Sequence, residues 1–276
     1  MPRRSPRILA SIAAFVGLCL PLLCLRTVPA WARTLDQILG AKSLIVGVNP
    51  NLPPVGEYDA QNNVVGFDVD LANQLAKMLG VKVSFVNVNS ADRVPFVVAD
   101  KVDFVMGAIT RTPDRAKVID FTVPIMTEAL SVLTFKTQPF KTWRDLDNPS
   151  VTLVEVRGTT PVTFIQDNLP HAKVLLLDSY PDAIRALAQG RGQAMIDVIE
   201  YLVSYMKQHD VPWKVLGQPI GGVDYDCIGL AQGNTALRNW LNVALFALQS
   251  EGFIDTDYKK WFGIGMVPPI IPQPYF

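Results

Sequence analysis

Apolar and polar residues follow two rhythms along this chain, short strand-like runs and longer stretches at three-to-four spacing, and the two alternate. Residues 44–48 (Leu-Ile-Val-Gly-Val) form an apolar strand that ends in Asn49-Pro50-Asn51-Leu52-Pro53-Pro54, a proline-rich loop that cannot continue a sheet. Gly66-Phe67-Asp68 opens a helix. Val69, Ala72, Ala76 and Leu79, with Leu71, Leu75 and Met78, give it a broad apolar face, and Gly80 supplies the stop. Strands are predicted at 83–88 and 102–106, with a short helix at 95–99 between them. A second series follows the turn at Trp143-Arg144-Asp145-Leu146: strand 151–156, a helix from Pro161, strand 173–177, helix 181–189 and strand 193–199. After a break at Gly221-Gly222 come strand 227–231 and a long amphipathic helix, 236–250, capped by Asn234-Thr235. Strands alternating with helices predict an α/β fold with helical crossovers.

The two series echo each other at one corner. Strand 102–106 delivers the chain to Gly107-Ala108-Ile109-Thr110-Arg111-Thr112-Pro113-Asp114-Arg115, and strand 151–156 delivers it to Arg157-Gly158-Thr159-Thr160-Pro161. Thr112 before Pro113 reads as a helix N-cap with proline at the first helical position. Such a start presents unpaired N–H groups and the positive end of the helix dipole, so it attracts anions. The hydroxyls of Thr110 and Thr112 add donors. Arg115, one turn in, is able to grip a carboxylate through two parallel hydrogen bonds. Open α/β sheets bind ligands outside the carboxyl ends of their strands, so two such corners point to a small ligand held between two lobes.

Residues 1–32 have the three regions of a secretory signal peptide: Arg3, Arg4 and Arg7, an apolar run from Ile8 to Leu25, and Ala30-Trp31-Ala32, with cleavage expected after Ala32. A retained membrane anchor is the alternative. Without the four arginines of this leader (Arg3, Arg4, Arg7, Arg26), 21 basic residues face 25 acidic ones, a net charge of −4. That mildly acidic balance argues against nucleic-acid binding and against a basic membrane-surface patch. Cys227 alone remains, which excludes an internal disulfide and is most simply a small buried hydrophobe. His171 and His209 stand far apart in sequence and argue against a zinc or copper site, and no cofactor is implied.

Seven segments together resemble one family. Val46-Gly47-Val48-Asn49, Val65-Gly66-Phe67-Asp68-Val69-Asp70-Leu71-Ala72, Lys101-Val102-Asp103-Phe104, Thr110-Arg111-Thr112-Pro113-Asp114-Arg115-Ala116, Val118-Ile119-Asp120-Phe121, Arg157-Gly158-Thr159-Thr160 and Tyr258-Lys259-Lys260-Trp261-Phe262-Gly263 are similar, in order and spacing, to extracellular solute-binding proteins of polar amino-acid ABC transporters. The resemblance implies a two-lobed periplasmic-binding-protein fold with a mixed sheet in each lobe and two hinge strands, near 128–131 and 225–228, about which the lobes close on the ligand. It implies lobes of residues 33–129 with 227–276 and of residues 130–226, a periplasmic monomer, and a membrane permease as the partner that receives a polar or acidic amino acid or a related small acid.

The same resemblance assigns Thr110, Arg115 and the backbone at Ala108 to the ligand α-carboxylate, completed by Thr159 and Thr160 from the other lobe. Arg93, in Ser90-Ala91-Asp92-Arg93-Val94-Pro95, is matched to the ligand side chain; its alternative is a surface pair with Asp92 or Asp100. Two positions depart from the pattern. The family's aromatic platform falls on Leu52 and Val55, with Tyr58 nearby. Its ammonium-binding aspartate falls on Val198, with Asp197 one residue early. One step along a strand turns a side chain to the opposite face, so Asp197 serves only if the strand ends or bulges before it. Otherwise Arg157, Arg93 and Arg115 leave a cationic cleft suited to an acid without an amine; the alternative for Arg157 is a pair with Glu155. No catalysis is expected. The competing functions are a dehydratase on the same scaffold resembling periplasmic cyclohexadienyl dehydratases, with Glu57, Glu155 and Glu200 as acids by type, and a soluble sensor.

Overall fold

The computed structural model describes residues 32–217 and 219–273. The expected leader, residues 1–32, lies outside the described residues apart from Ala32. Helix α1 (Leu35–Ala41) leads into strand β1 (Ser43–Val48), the small hairpin β2 (Glu57–Tyr58) and β3 (Val64–Val65), helix α2 (Phe67–Leu79), β4 (Lys82–Asn87), α3 (Arg93–Val98) and β5 (Phe104–Val105). A 3₁₀ turn (Arg115–Lys117) precedes the long strand β6 (Ile119–Phe135). A second 3₁₀ turn (Trp143–Leu146) is followed by β7 (Thr152–Val156), α4 (Thr160–Asn168), β8 (Lys173–Leu177), α5 (Tyr180–Ala188), β9 (Ala194–Val198), α6 (Ile199–Gln208) and β10 (Trp213–Val215). The long strand β11 (Ile220–Ala231) returns the chain to α7 (Thr235–Ser250) and α8 (Phe253–Phe262).

The main sheet runs in the order β4-β1-β5-β11-β6-β9-β7-β8, with β10 beside β6. β1, β4 and β5 are parallel, as are β7 and β8, whereas β6 and β11 are antiparallel to each other. β6 and β11 are the two strands that bind the halves together. From Ile119 to Leu130, β6 pairs with β11; from Leu130 to Thr134 it pairs with β9. This is the two-lobed α/β architecture with a mixed sheet on each side.

Local chemistry explains the elements that place the site. α2 buries Phe67, Val69, Leu71, Ala72, Leu75 and Ala76; Asp68 and Asp70 stand at its positive end and Lys77 at its negative end. Gly80 adopts a left-handed conformation and its N–H closes on the carbonyls of Ala76 and Lys77. α3 is pinned by a small separate core in which Val97 meets Val88, Val102, Val105, Ile109 and Ile119. That core holds the first residue of α3, Arg93, against the exit of β5.

Four sequence expectations change. The chain after Thr112-Pro113 makes only the 3₁₀ turn Arg115–Lys117, because Ile119 already belongs to β6 and leaves no room for a helix. The helix expected at 95–99 begins at Arg93, two residues earlier. Gly221-Gly222 does not break the chain. It lies within β11 where the register against β6 slips between Ile220 and Asp224, a bulge that glycine tolerates. Strand 193–199 narrows to Ala194–Val198 and passes straight into α6, with Val198 as an N-cap lacking any side-chain bond, so no start signal marked that helix.

Candidate functional site

The corner after β5 is shaped by two successive residues at positive φ, Gly107 (84°) and Ala108 (56°). For Ala108 this conformation is unfavourable and has to be held from outside. Asp68, fully buried at the start of α2, does so: its carboxylate accepts the Gly107 N–H. Burial nevertheless pushes this carboxyl up to about 7, against the lowering effect of the Gly107 and Ala108 N–H groups.

The carbonyls that this corner turns inward meet Arg93. Its guanidinium donates from Nε to Ser90 (3.0 Å), from Nη1 to Gly107 (2.7 Å) and Ala108, and from Nη2 across the cleft to Gly158 (3.1 Å). Four of its five N–H groups are thereby committed to backbone oxygens. Arg93 is 3% exposed, so neither surface partner, Asp92 or Asp100, holds it. Arg115 is half-buried and donates to the carbonyls of Thr110 (2.6 Å) and Gly158 (2.9 Å). Desolvation and the neighbouring Arg93 charge push its pKa down to about 10.

Gly158 is the point of contact from the other side. It has φ +82°, and a Cβ there would lie 2.6 Å from the Cα of Ala91. No side chain fits. Both arginines close on its carbonyl, so the two strand-to-helix corners abut. Just beyond it, Thr159 donates its hydroxyl to Val156 (2.8 Å) and Thr160 opens α4, a true nine-residue helix whose first turn faces the gap.

Between the corners lies a cavity of about 250 Å³, including its open mouth. Arg93, Ala108 and Thr110 wall it on one side and Thr159, Thr160 and Pro161 on the other, with Glu128, Tyr180, Asp197, Val198 and Tyr201 closing it. A larger groove, about 1560 Å³ including its open mouth, lies elsewhere, between the start of β6, α7 and residues 268–273. Its polar groups are already engaged: Asn242 holds the Val123 N–H, Gln249 the Pro124 carbonyl, and Arg111 stacks over Tyr225. Three buried charged residues, Arg93, Glu128 and Asp197, converge on the smaller cavity.

Asp197 and Val198 both line that cavity, because the strand ends at Val198 and the chain turns at once into α6. The strict alternation that would send one of them away does not survive the turn. Asp197 is 3% exposed; one oxygen accepts the Val198 N–H (2.8 Å) and the other has no partner. Burial pushes its carboxyl up to about 8. Asp197 thus faces the cavity, and the alternative of a cationic cleft without an acid, which required it to face away, does not arise.

Glu128 adds a second acid, and as a cavity residue the sequence reading missed it. It sits on β6, 3% exposed, and accepts the hydroxyl proton of Thr110 (2.7 Å). Opposite it on β11 is Asp224, and two residues along, on the same face, is Asp226, fully buried. Two buried carboxyls in this relation cannot both ionise, so a proton is shared between Glu128 and Asp226 and both are raised above the usual carboxylate range. The signal was a lone charge in the run 125–135, whose other residues are apolar or hydroxyl-bearing. Thr110, matched to the ligand carboxylate in the sequence, has its one hydroxyl proton on Glu128 and offers the cavity only acceptor lone pairs.

Leu52 and Arg157 are not brought in. Leu52 is buried beneath the proline loop, bridged to Gly56, and Tyr58 is 43% exposed, its hydroxyl accepting from Asn87. The aromatic rings at the cavity come from the other half, Tyr180 and Tyr201, which the sequence reading did not select. Arg157 pairs with Asp178 (3.0 Å) in solvent, and Glu155 instead accepts the buried Ile196 N–H (2.8 Å). Arg93 therefore lines the cavity, Arg115 stands beside it on the Gly158 carbonyl without lining it, and Arg157 lies outside.

Residues 44–264 match the family described as bacterial extracellular solute-binding proteins, family 3. Among curated relatives, the chain is 30% identical over 232 residues to the ABC transporter glutamine-binding protein GlnH of Bacillus subtilis (strain 168), covering 83% of this chain and 84% of the relative. It is 30% identical over 226 residues to the ABC transporter arginine-binding protein 1 of Escherichia coli (strain K12), covering 80% and 91%. Among solved structures, the ancestral amino acid-binding protein AncCDT-1, described as a precursor of cyclohexadienyl dehydratase, superposes with a TM-score of 0.78 at 32% identity over 83% of this chain and 99% of its own. With a family match over most of its length, a shared fold and a charged cavity between two corners, this chain belongs to the bacterial extracellular solute-binding proteins, family 3.

Proposed function

We propose that this protein is the substrate-binding component of an amino-acid ABC transporter, which captures a polar α-amino acid outside the cytoplasmic membrane and delivers it to a permease. The observation that carries this reading is one cavity lined by buried groups of both signs, Arg93 at one side and Asp197 and Glu128 at the other, with the half-buried Arg115 beside it on the Gly158 carbonyl. A zwitterion needs both, and a buried ammonium without a carboxylate partner would be costly. In this reading the ligand carboxylate meets the uncommitted N–H groups of the two arginines, the backbone at Ala108 and the first turn of α4 at Thr159 and Thr160. The ammonium meets Asp197 and the Thr110 oxygen. The glutamate-like side chain expected from Arg93 loses its basis, since that guanidinium is largely committed to carbonyls.

Residues 33–129 with 227–276 form one lobe and residues 130–226 the other, with β6 and β11 as the hinges; support comes from the switch of β6 from β11 to β9 at Leu130. Opening about these strands separates Gly158 from Arg93 and Arg115 and admits the ligand. A second reading, elimination from a bound acid, is favoured by one observation: the cavity carboxyls keep a proton near neutral pH, as a general acid requires. Calorimetry of purified protein against amino acids and their deaminated analogues, with product analysis, separates the two. Saturable binding of amino acids without product is the expected result; turnover of a bound acid would overturn it.

A further inference from the structure

The carboxyl groups at the cavity outnumber what a simple zwitterion uses. In the proposed site the ammonium of an α-amino acid meets Asp197, which leaves Glu128 on the cavity wall and, buried beside it without lining the cavity, Asp226. No described ion pair joins Arg93 or Arg115 to any of these acids; both guanidiniums lie on backbone carbonyls instead. Apart from the proton shared with Glu128, neither Asp226 oxygen has a hydrogen-bond donor among the described residues. The pair is surrounded by further acid and little counter-charge: Asp224 faces Glu128 across the strands, Asp68 lies near Asp226, and Tyr180 and Tyr201 close the far wall. Only Arg93 and Arg115 oppose it, and in the proposed site they also serve the ligand carboxylate.

We infer that Glu128 and Asp226 select amino acids whose side chain is positively charged, and that the entering cation displaces the proton these two acids share. This rests on the reading that the cavity holds an α-amino acid. The balance is simple: one carboxyl O–H ionises, the proton passes to solvent, and the side-chain cation takes its place as counter-charge. A neutral polar side chain leaves the shared proton where it is. An acidic one adds a carboxylate to a buried cluster with no free guanidinium to receive it, which opposes binding.

The test is calorimetry of the purified protein at neutral pH with L-arginine, L-lysine, L-glutamine and L-glutamate, in two buffers of different ionisation enthalpy so that protons are counted. Arginine or lysine is expected to bind at least about tenfold more tightly than glutamine and about a hundredfold more tightly than glutamate. Proton release accompanies the cationic ligands only. Glu128→Gln, or Asp226→Asn should the first variant fail to fold, is expected to abolish that release and bring arginine to within about threefold of glutamine. Glutamine or glutamate binding as tightly as arginine, or a preference that survives both substitutions, overturns this inference while leaving the amino-acid reading intact. Absence of binding by every amino acid overturns that reading as well.

Discussion

The two strand-to-helix corners look alike in sequence and differ in what holds them. In Thr159-Thr160-Pro161 the chain continues into nine residues of helix, so the unpaired N–H groups and the dipole expected of a helix start are present. In Thr112-Pro113 it makes a single 3₁₀ turn and enters β6. Its positive charge comes from side chains, Arg93 and Arg115, and its shape from the buried Asp68 beneath it. One motif thus yields a backbone anion site in one half and a guanidinium anchor in the other, and the two meet at Gly158. A ligand gripped by both has reason to draw them together; each alone is half a site.

Arg93→Ala strikes the anchored corner hardest. It strands the carbonyls of Ser90, Gly107 and Ala108, and at about 1–3 kcal/mol for each buried unmet group the loss of stability should reach about 3 kcal/mol or more in urea unfolding. Arg93→Lys should recover little, since a compact ammonium does not reproduce the planar fork. A loss below about 1 kcal/mol would mean that the corner holds itself. Arg115→Ala should act on binding instead. Removing one partner of an enclosed charge pair costs about 2 kcal/mol or more, roughly a 30-fold rise in Kd, with a smaller effect on folding because Arg115 is half-exposed. Unchanged affinity would leave the carboxylate to Arg93 and α4.

Asp197 tests the opposite wall through pH. Its proton stays on up to about pH 8 in the fold, whereas an unfolded aspartate loses it near ~4. Between those values the folded form binds more protons than the unfolded form, so stability falls as pH rises. The Tm of the ligand-free protein should therefore drop from about pH 5 to 8, and Asp197→Asn should reduce that slope, leaving the part due to Glu128 and Asp226. A slope untouched by the substitution would show that Asp197 is ionised throughout. The same variant should weaken amino acids and spare their deaminated analogues. Smallest of all is Arg157→Ala: its exposed pair with Asp178 is worth less than about 0.5 kcal/mol, and affinity should not move. A loss like that of Arg115→Ala would return Arg157 to the site.

The strands and helices that carry the corners were legible because their periodicity is local. β1, α2, β4, β7 and α5 follow from alternation, three-to-four spacing and the Gly80 stop. α6 was not, because Val198 offers no cap and Ile199 continues the apolar run of β9. The parity rule left Asp197 to the point where the strand ends, which spacing does not reveal, and the turn at Val198 brings both residues to the cavity.

What the sequence by itself determined is the alternating α/β order, the positions of the two corners and the presence of Arg93, Arg115, Thr159 and Thr160 beside them, since all of these depend on residues within a few positions of one another. Only the tertiary structure decided which charges share an environment. Glu128 and Asp226 are almost a hundred residues apart and meet through the antiparallel register of β6 and β11, while Arg157, equally basic and next to Gly158, is turned to Asp178 and solvent. Burial does the rest: the same carboxyl is an ordinary anion at the surface and a retained proton inside, and sequence spacing contains no measure of that difference.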